Sequence, residues 1–301
     1  MGTWDDTGAA GIAGFLSSNA HDIYPAIDPG KVQLPKPYVV CIVGASRGIG
    51  AGIAHAYAHA GASGLVLASR RVSGLEQVAA ECRKINPKVR IEIVACDITS
   101  DSSVQALASK TKSTFGRLDV CVVNSGYTGP IEAKVTETPT EDFINASNVN
   151  YVGTFLTAKY FVPLLLATEG GAKALIAVGT LAAFMVKGMI ANPHYNVSKA
   201  AQLRLMETIH EQYSSEGLAA YTIHPGGVLT EMVKAAIPEA IHAYCLDSTE
   251  LAGGFCVWLS KDQSHEWLSG RFASANWDAD ELDAKKDVVL KKNLLRFTVD
   301  V

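Results

Sequence analysis

Val43-Gly-Ala-Ser-Arg-Gly-Ile-Gly50 is the stretch whose reading decides how this chain folds. It follows the β-branched, apolar run Tyr38–Val43 and leads into an alanine-rich helical pattern over Ile49–Ala60. Gly44, Gly48 and Gly50 let the backbone turn sharply and approach a ligand closely. The free amides at the start of the helix then suit a pyrophosphate, as in dinucleotide sites. A glycine turn alone would serve equally well as a tight strand-to-helix connection; the strand before it and the helix after it favour a ligand loop.

Outward from this turn, short apolar runs alternate with longer helical patterns. Strands are expected at Tyr38–Val43, Gly64–Ala68, Arg90–Ala95, Val120–Asn124, Ala174–Val178, Leu218–His224 and Arg271–Ser274. Several are continuous apolar runs, as parallel strands covered on both faces require. Helices are expected at Ile49–Ala60, Leu75–Lys84, Ser102–Phe115, Glu141–Leu166, Pro193–Ser215 and Thr249–Leu259. Ser73-Gly-Leu-Glu76 and Thr138-Pro-Thr-Glu141 have capping-box spacing, and Pro139 suits a first helical position. The alternation predicts an α/β protein with one doubly wound parallel sheet of about seven strands flanked by helices. Residues 1–36, rich in Gly, Ala, Asp and Pro, read as an irregular arm; 37–276 form the catalytic domain and 277–301 a C-terminal extension.

With 301 residues, 48% of them hydrophobic, the chain can bury a full core, and its net charge of -4 argues against a nucleic-acid or anionic-membrane binder. The six cysteines (Cys41, Cys82, Cys96, Cys121, Cys245 and Cys256) lack metal-finger spacing and read as reduced packing residues. His194 and His224 pair with no second ligand at metal spacing, so no metal is expected; the first reads as lining a cleft, the second as ending a strand. No leader pattern and no apolar run of membrane-spanning length is found, so the expected location is the cytoplasm.

Tyr195 and Lys199, in Ala191-Asn-Pro-His-Tyr-Asn-Val-Ser-Lys-Ala200, stand four residues apart and so share a helical face. An ammonium beside a phenol stabilises the ionised phenol, which equips the tyrosine to move a proton near neutral pH. On any long helix the same pair would be an ordinary edge contact; the glycine turn upstream gives it weight.

The spacing G-x-x-x-G-x-G, the pair Tyr195/Lys199 and several motifs in order between Tyr38 and Ala275 resemble the short-chain dehydrogenase/reductase family, and the flanking segments resemble a fungal branch of it. The resemblance implies a Rossmann-type sheet, a nicotinamide dinucleotide and a small-molecule ketone or alcohol substrate. It makes Tyr195 the general acid or base, Lys199 the holder of the nicotinamide ribose that lowers the tyrosine pKa, and Asn150, in Asn148-Val-Asn-Tyr-Val-Gly-Thr154, the anchor of a relay water. Thr180 falls at the site of the family's serine, keeping a hydroxyl. Its interval to Tyr195 is about two residues longer than the family pattern.

For the dinucleotide the resemblance implies Gly44, Ser46, Arg47, Gly48, Ile49 and Gly50 in the turn, then Ser69 and Arg70 after the second strand. Asp97 and Ile98 follow the third strand. Asn124, Ser125 and Gly126 follow the fourth, with Val123 and Ser125 departing from the family's N-N-A-G. Pro225, Gly226, Val228 and Thr230 follow the sixth, and Tyr195 and Lys199 complete the set. NAD-preferring relatives carry an acidic residue where this chain has Ser69; Arg47 and Arg70 with no carboxylate between Val66 and Arg71 favour a 2′-phosphate, hence NADP(H).

Residues 227–246 are expected to form a substrate lid, with Met232, Ile237, Ile241 and Tyr244 covering a ligand. With Leu181, Phe184, Met185 and Met189 they would make an apolar pocket, unless they are core packing. The resemblance further implies a homodimer or homotetramer built on the helices Glu141–Leu166 and Pro193–Ser215. Two other functions compete: a non-redox isomerase, dehydratase or cyclase on the same scaffold, and a non-enzymatic nucleotide sensor. The retention of Tyr195 and Lys199 weighs against both.

Overall fold

A computed structural model of the chain describes residues 9–298 apart from Ala133 and Met189. Seven strands, β1 (Val39–Val43), β2 (Gly64–Ser69), β3 (Arg90–Ala95), β4 (Val120–Val123), β5 (Ala174–Val178), β6 (Ala219–His224) and β7 (Phe272–Ser274), pair in the order β3-β2-β1-β4-β5-β6-β7. Every pairing is parallel. The chain moves outward from β1 through β2 to β3, then crosses back to β4, so the order reverses between β1 and β4. Ligands of doubly wound sheets bind beyond the carboxyl ends of the strands at such a reversal.

The unbroken apolar strands are explained by cover on both faces. Val40 and Ile42 point into one core layer with Ile53, Tyr57 and Phe255, while Val39, Cys41 and Val43 point into the other with Leu107, Phe161 and Ile209. The layers are built by α2 (Gly48–His59), α3 (Val72–Ile85), α4 (Asp101–Phe115), α6 (Gly153–Leu166), α7 (Pro193–Tyr213) and α10 (Thr249–Ser260), which come after α1 (Ala10–Ala13) and are joined by the shorter α5 (Thr140–Ala146), α8 (Glu231–Ala236), α9 (Glu239–His242), α11 (Ala279–Ala284) and α12 (Lys286–Lys291). The six cysteines are free thiols, and all but Cys245 are buried.

Three local expectations need correction. The helix expected as one rod over Glu141–Leu166 is interrupted by a wide π turn at Ser147–Val152. Neither capping box forms: α3 starts at Val72, ahead of Ser73, and α5 starts at Thr140, with Pro139 outside the helix and the Thr138 hydroxyl donating to Lys134 O at 3.1 Å. The 27-residue run Thr140–Leu166, whose most apolar window has mean hydropathy 1.2, is long and apolar enough to cross a membrane by length and composition. Half of that window is buried, and Phe161 and Leu165 pack into the core with the sheet residues.

The N-terminal arm, whose described residues form only α1 and a 3₁₀ turn at Pro29–Lys31 as helical structure, packs against the domain. Leu16, Ile27 and Leu34 are buried in the same core layer as Trp277, Leu282 and Val289 of the C-terminal extension. Asn19 bridges Trp277 in antiparallel fashion, Ala20 N donates to Asn276 O at 2.6 Å, and Tyr24 Oη donates to Trp277 O at 3.1 Å.

Candidate active site

The glycine turn lies at the carboxyl end of β1, where the strand order reverses. Gly44 has φ 98°, and a Cβ there would stand 2.6 Å from Ser125 N; one on Gly50 would stand 2.1 Å from Gly44 O. No side chain fits at either position, so the backbone itself lines the crevice. Helix α2 begins at Gly48 with no side-chain cap on its first-turn amides, a terminus suited to an anionic pyrophosphate. Ser46 O packs under Gly74, bracing the turn against α3.

The residues expected around a dinucleotide ring this crevice. Asn124 Nδ2 donates to Gly44 O at 2.8 Å, and Ser125 N donates to Val43 O at 2.9 Å. Gly126 lies beside Asn150, and Ile98 is buried against Gly153. Asp97 accepts from the amide and hydroxyl of Thr99, which hold its carboxyl below the usual range, with burial opposing and Arg70 contributing. Ser69 Oγ is engaged with Arg71, accepting from its amide at 3.2 Å. Arg47 is paired with Glu231 at the start of α8, and its guanidinium is lowered by burial and then by Arg71, a neighbour the sequence reading did not single out. Pro225, Gly226 and Val228 follow β6, and Thr230 caps α8, its hydroxyl accepting from Val233 N at 3.2 Å.

Asn192 caps α7, accepting from Tyr195 N at 2.8 Å, with Pro193 at the first helical position. The cap places Tyr195 in the first turn and Lys199 one turn deeper, under the end of β5. Thr180, just after β5, caps the short 3₁₀ turn Leu181–Phe184, accepting from Ala182 N at 3.2 Å. Burial pushes the Tyr195 phenol up to about 12, against the pull of its hydrogen bond with the Thr180 hydroxyl. Lys199 is buried, which lowers its ammonium to about 7. Its Nζ donates to Val178 O at 2.8 Å and to Gln202 Oε1 at 3.0 Å. Desolvation is the larger influence on the phenol, and the Lys199 ammonium is held by Val178 O and Gln202.

Gln202, which sequence reading missed, links Lys199 to the turn that carries Asn150. Its Nε2 donates to Thr154 Oγ1 at 2.8 Å, and Thr154 Oγ1 donates to Asn150 O at 2.8 Å. Asn150 sits in the π turn, fully buried, clamping Tyr127 by both backbone groups at 2.8 Å and donating to Ser198 Oγ at 2.9 Å. Ser198 Oγ in turn donates to Tyr195 O at 2.8 Å. A buried network that satisfies each member in this way rigidifies its site. A polar residue three places after Lys199, on a face that otherwise packs the core, was the available signal for Gln202.

Asn150, Thr180, Tyr195 and Lys199 are thus brought to one place. His194 is not in the cleft as expected: it is fully buried, with Nε2 at 2.6 Å from Thr128 O. Phe184 packs at 4.9 Å on both Phe272 and Phe297 and also borders the small apolar cluster beside Tyr195. Leu181, Met185 and Ile190 form a small apolar cluster with Tyr195, and Met189 lies outside the described residues. Met232, Ile237 and Ile241 are half-buried in the proposed lid, while Tyr244 is 61% exposed.

A family model described as short chain dehydrogenase matches residues 38–240. The chain is 32% identical over 285 residues to the short chain dehydrogenase pgmD of Aspergillus terreus, covering 92% of this chain and 91% of that one. It is 34% identical to andI, a short chain dehydrogenase of Emericella variicolor, covering 95% and 97%. Among solved structures, a Shigella flexneri protein described as a short chain dehydrogenase and complexed with NADP superposes with a TM-score of 0.71 at 25% identity, over 81% of this chain and 99% of that one. A 7α-hydroxysteroid dehydrogenase complexed with NADH and 7-oxo glycochenodeoxycholic acid superposes with a TM-score of 0.72 at 24% identity, over 84% and 97%.

Proposed function

The chain belongs to the short-chain dehydrogenase family, and on that premise we propose that it is an NADP(H)-dependent oxidoreductase interconverting a ketone and a secondary alcohol on a fairly apolar small molecule in the cytoplasm. The observation that carries the reading is the convergence of Tyr195, Thr180, Lys199 and Asn150 beside the glycine crevice. The bound nicotinamide supplies or accepts the hydride. Tyr195 is the proton donor in reduction and the acceptor in oxidation, with Thr180 orienting the substrate oxygen by its hydroxyl. Lys199, held by Val178 O and Gln202, stands ready for the ribose side of the crevice, and the chain from Gln202 through Thr154 to Asn150 keeps the catalytic turn in register. The apolar cluster of Leu181, Met185 and Ile190 beside Tyr195 supports a substrate with an apolar body.

The preference for a 2′-phosphate rests on Arg47, Arg70 and Arg71 near the end of β2 and on the absence of an acidic residue at Ser69. A bound phosphate would replace Glu231 as the partner of Arg47. Turnover of a ketone panel with each cofactor tests this: kcat/KM with NADPH is expected to exceed that with NADH by about tenfold or more, the scale of one charge-assisted contact. Equal or better efficiency with NADH would overturn the assignment.

A symmetric oligomer fits the exposed face of α5 and α6. Ile144, Tyr151 and Phe155, seven and four residues apart, are 50%, 40% and 48% exposed, and Val197 on α7 is 56% exposed. Such a stripe is costly in water and suits a second copy of the same surface. Light scattering is expected to give the mass of a dimer or tetramer, and Phe155→Glu to shift it toward the monomer; a monomeric native protein would refute the arrangement.

A further inference from the structure

The turn Pro225–Gly226–Gly227 is held by a residue far away in sequence. Asp247, at the far end of the lid, accepts from Gly227 N at 2.5 Å through Oδ2, and its own amide donates to Gly227 O at 3.1 Å. Val228 and Asp247 form a parallel bridge. Gly226 has φ 97°, and a Cβ there would stand 2.6 Å from Asp247 Oδ2, so the turn is shaped around this carboxylate. The Asp247 side chain is only 7% exposed, and a carboxylate so far out of water requires strong partners. The second partner comes from the N-terminal arm: His21 Nδ1–H donates to Asp247 Oδ1 at 2.5 Å.

The arm grips the same spot twice more. Ser248 N donates to His21 O at 2.9 Å, and Ser248 Oγ donates to Asp22 Oδ1 at 2.6 Å. Between the two ends of the lid, neither α8 nor α9 has a fully buried residue. With so little packing of its own, this segment takes its position from its ends. One end is Thr230 with its neighbour Glu231 on Arg47, and the other is Asp247 on His21 and Gly227. His224, whose Nδ1 accepts from Leu181 N at 3.3 Å, ties the same turn to the loop after Thr180.

We propose that His21 is a positioning residue of the active site, which through Asp247 fixes the Pro225–Gly227 turn and the base of the lid over the dinucleotide. The role rests on reading the crevice as a dinucleotide site, and it makes the arm a working part of the enzyme rather than a leader to the domain. His21 is 58% exposed and belongs to none of the buried apolar clusters, so its replacement is expected to leave the fold standing.

The test compares the native protein with His21→Ala and His21→Asn, whose amide nitrogen can take the place of Nδ1. NADPH affinity is followed by fluorescence titration, and lid closure by the rate of tryptic cleavage after Lys234, an exposed residue in α8. His21→Ala is expected to weaken NADPH binding about tenfold and raise its KM alike, with kcat changed less than about twofold, as for losing one hydrogen bond to a charged group. Cleavage after Lys234 should quicken by about the same factor, and His21→Asn should restore most of both. Native-like binding and cleavage in His21→Ala, or no recovery in His21→Asn, would overturn the role. A native protein that binds neither NADPH nor NADH would instead refute the proposed function, and cleavage without dinucleotide would still judge the pin.

Discussion

Replacing Tyr195 with phenylalanine is expected to lower turnover of any accepted ketone by about 10²- to 10⁴-fold while leaving NADPH affinity within about twofold. The ring and its contacts with Leu181 and Met185 survive, so only the proton donor is lost. Thr180→Val, which keeps the shape and removes the hydroxyl, should cost about 10²-fold by the same assay. The phenol at about 12 in the ligand-free protein stays protonated through neutral pH. Reduction, measured as kcat/KM, should therefore lose nothing to Tyr195 ionisation below that range, whereas oxidation should rise with pH toward it. A Tyr195→Phe variant with native turnover would remove the phenol from the mechanism.

The second large effect concerns Lys199 and couples activity to stability. Its ammonium is lowered by burial from 10.5 to about 7, so between those values the unfolded chain binds the extra proton. Folding stability from this group consequently rises as pH climbs through that window, and the full cost stands at pH 6. The gap corresponds to roughly 4–5 kcal/mol as an upper bound, since each pKa unit is about 1.4 kcal/mol. Against it, Lys199→Met strips Val178 O and Gln202 Oε1 of a donor, at roughly 1–3 kcal/mol each. The stability of the variant relative to the native protein is expected to be higher at pH 6 than at pH 10, by up to roughly 4–5 kcal/mol, and its turnover at least about 10²-fold slower. Urea unfolding at the two pH values reads the difference; equal destabilisation at both would show that Lys199 carries no burial cost.

The contrast between what the chain announces and what it conceals follows from how each contact is made. The parallel sheet was legible because each central strand is apolar on both faces, a pattern that survives without any knowledge of neighbours. The glycine turn was legible because Gly44 and Gly50 fill positions no other residue can occupy. The π turn was not: widening a helix by one residue at Asn150 depends on the tertiary pull of Tyr127 and Ser198, which lie 23 and 48 residues away. Gln202 escaped for a related reason, since its meaning lies in Lys199 and Thr154 rather than in local spacing. The capping boxes failed in opposite directions: α3 opens one residue ahead of Ser73, at the exposed Val72, and α5 opens two residues after Thr138, whose hydroxyl turns back to Lys134 O. His194 shows the cost of assigning a side chain to a cleft by proximity in sequence: it faces inward, to a carbonyl.

The interlock of the arm with the C-terminal extension has a consequence for synthesis. Ala20 and Asn276, 256 residues apart, hold each other through Asn276 Nδ2 and Ala20 O at 2.9 Å, and Lys285 reaches back 270 residues to Phe15 O. On the ribosome the arm emerges before the sheet, yet Phe15 and Ala20 meet these partners only when the segment after β7 appears. Contacts of such sequence separation form late. A nascent chain can therefore complete the glycine crevice while the start of the arm is still unanchored, and the two ends of the chain close on each other only as synthesis finishes.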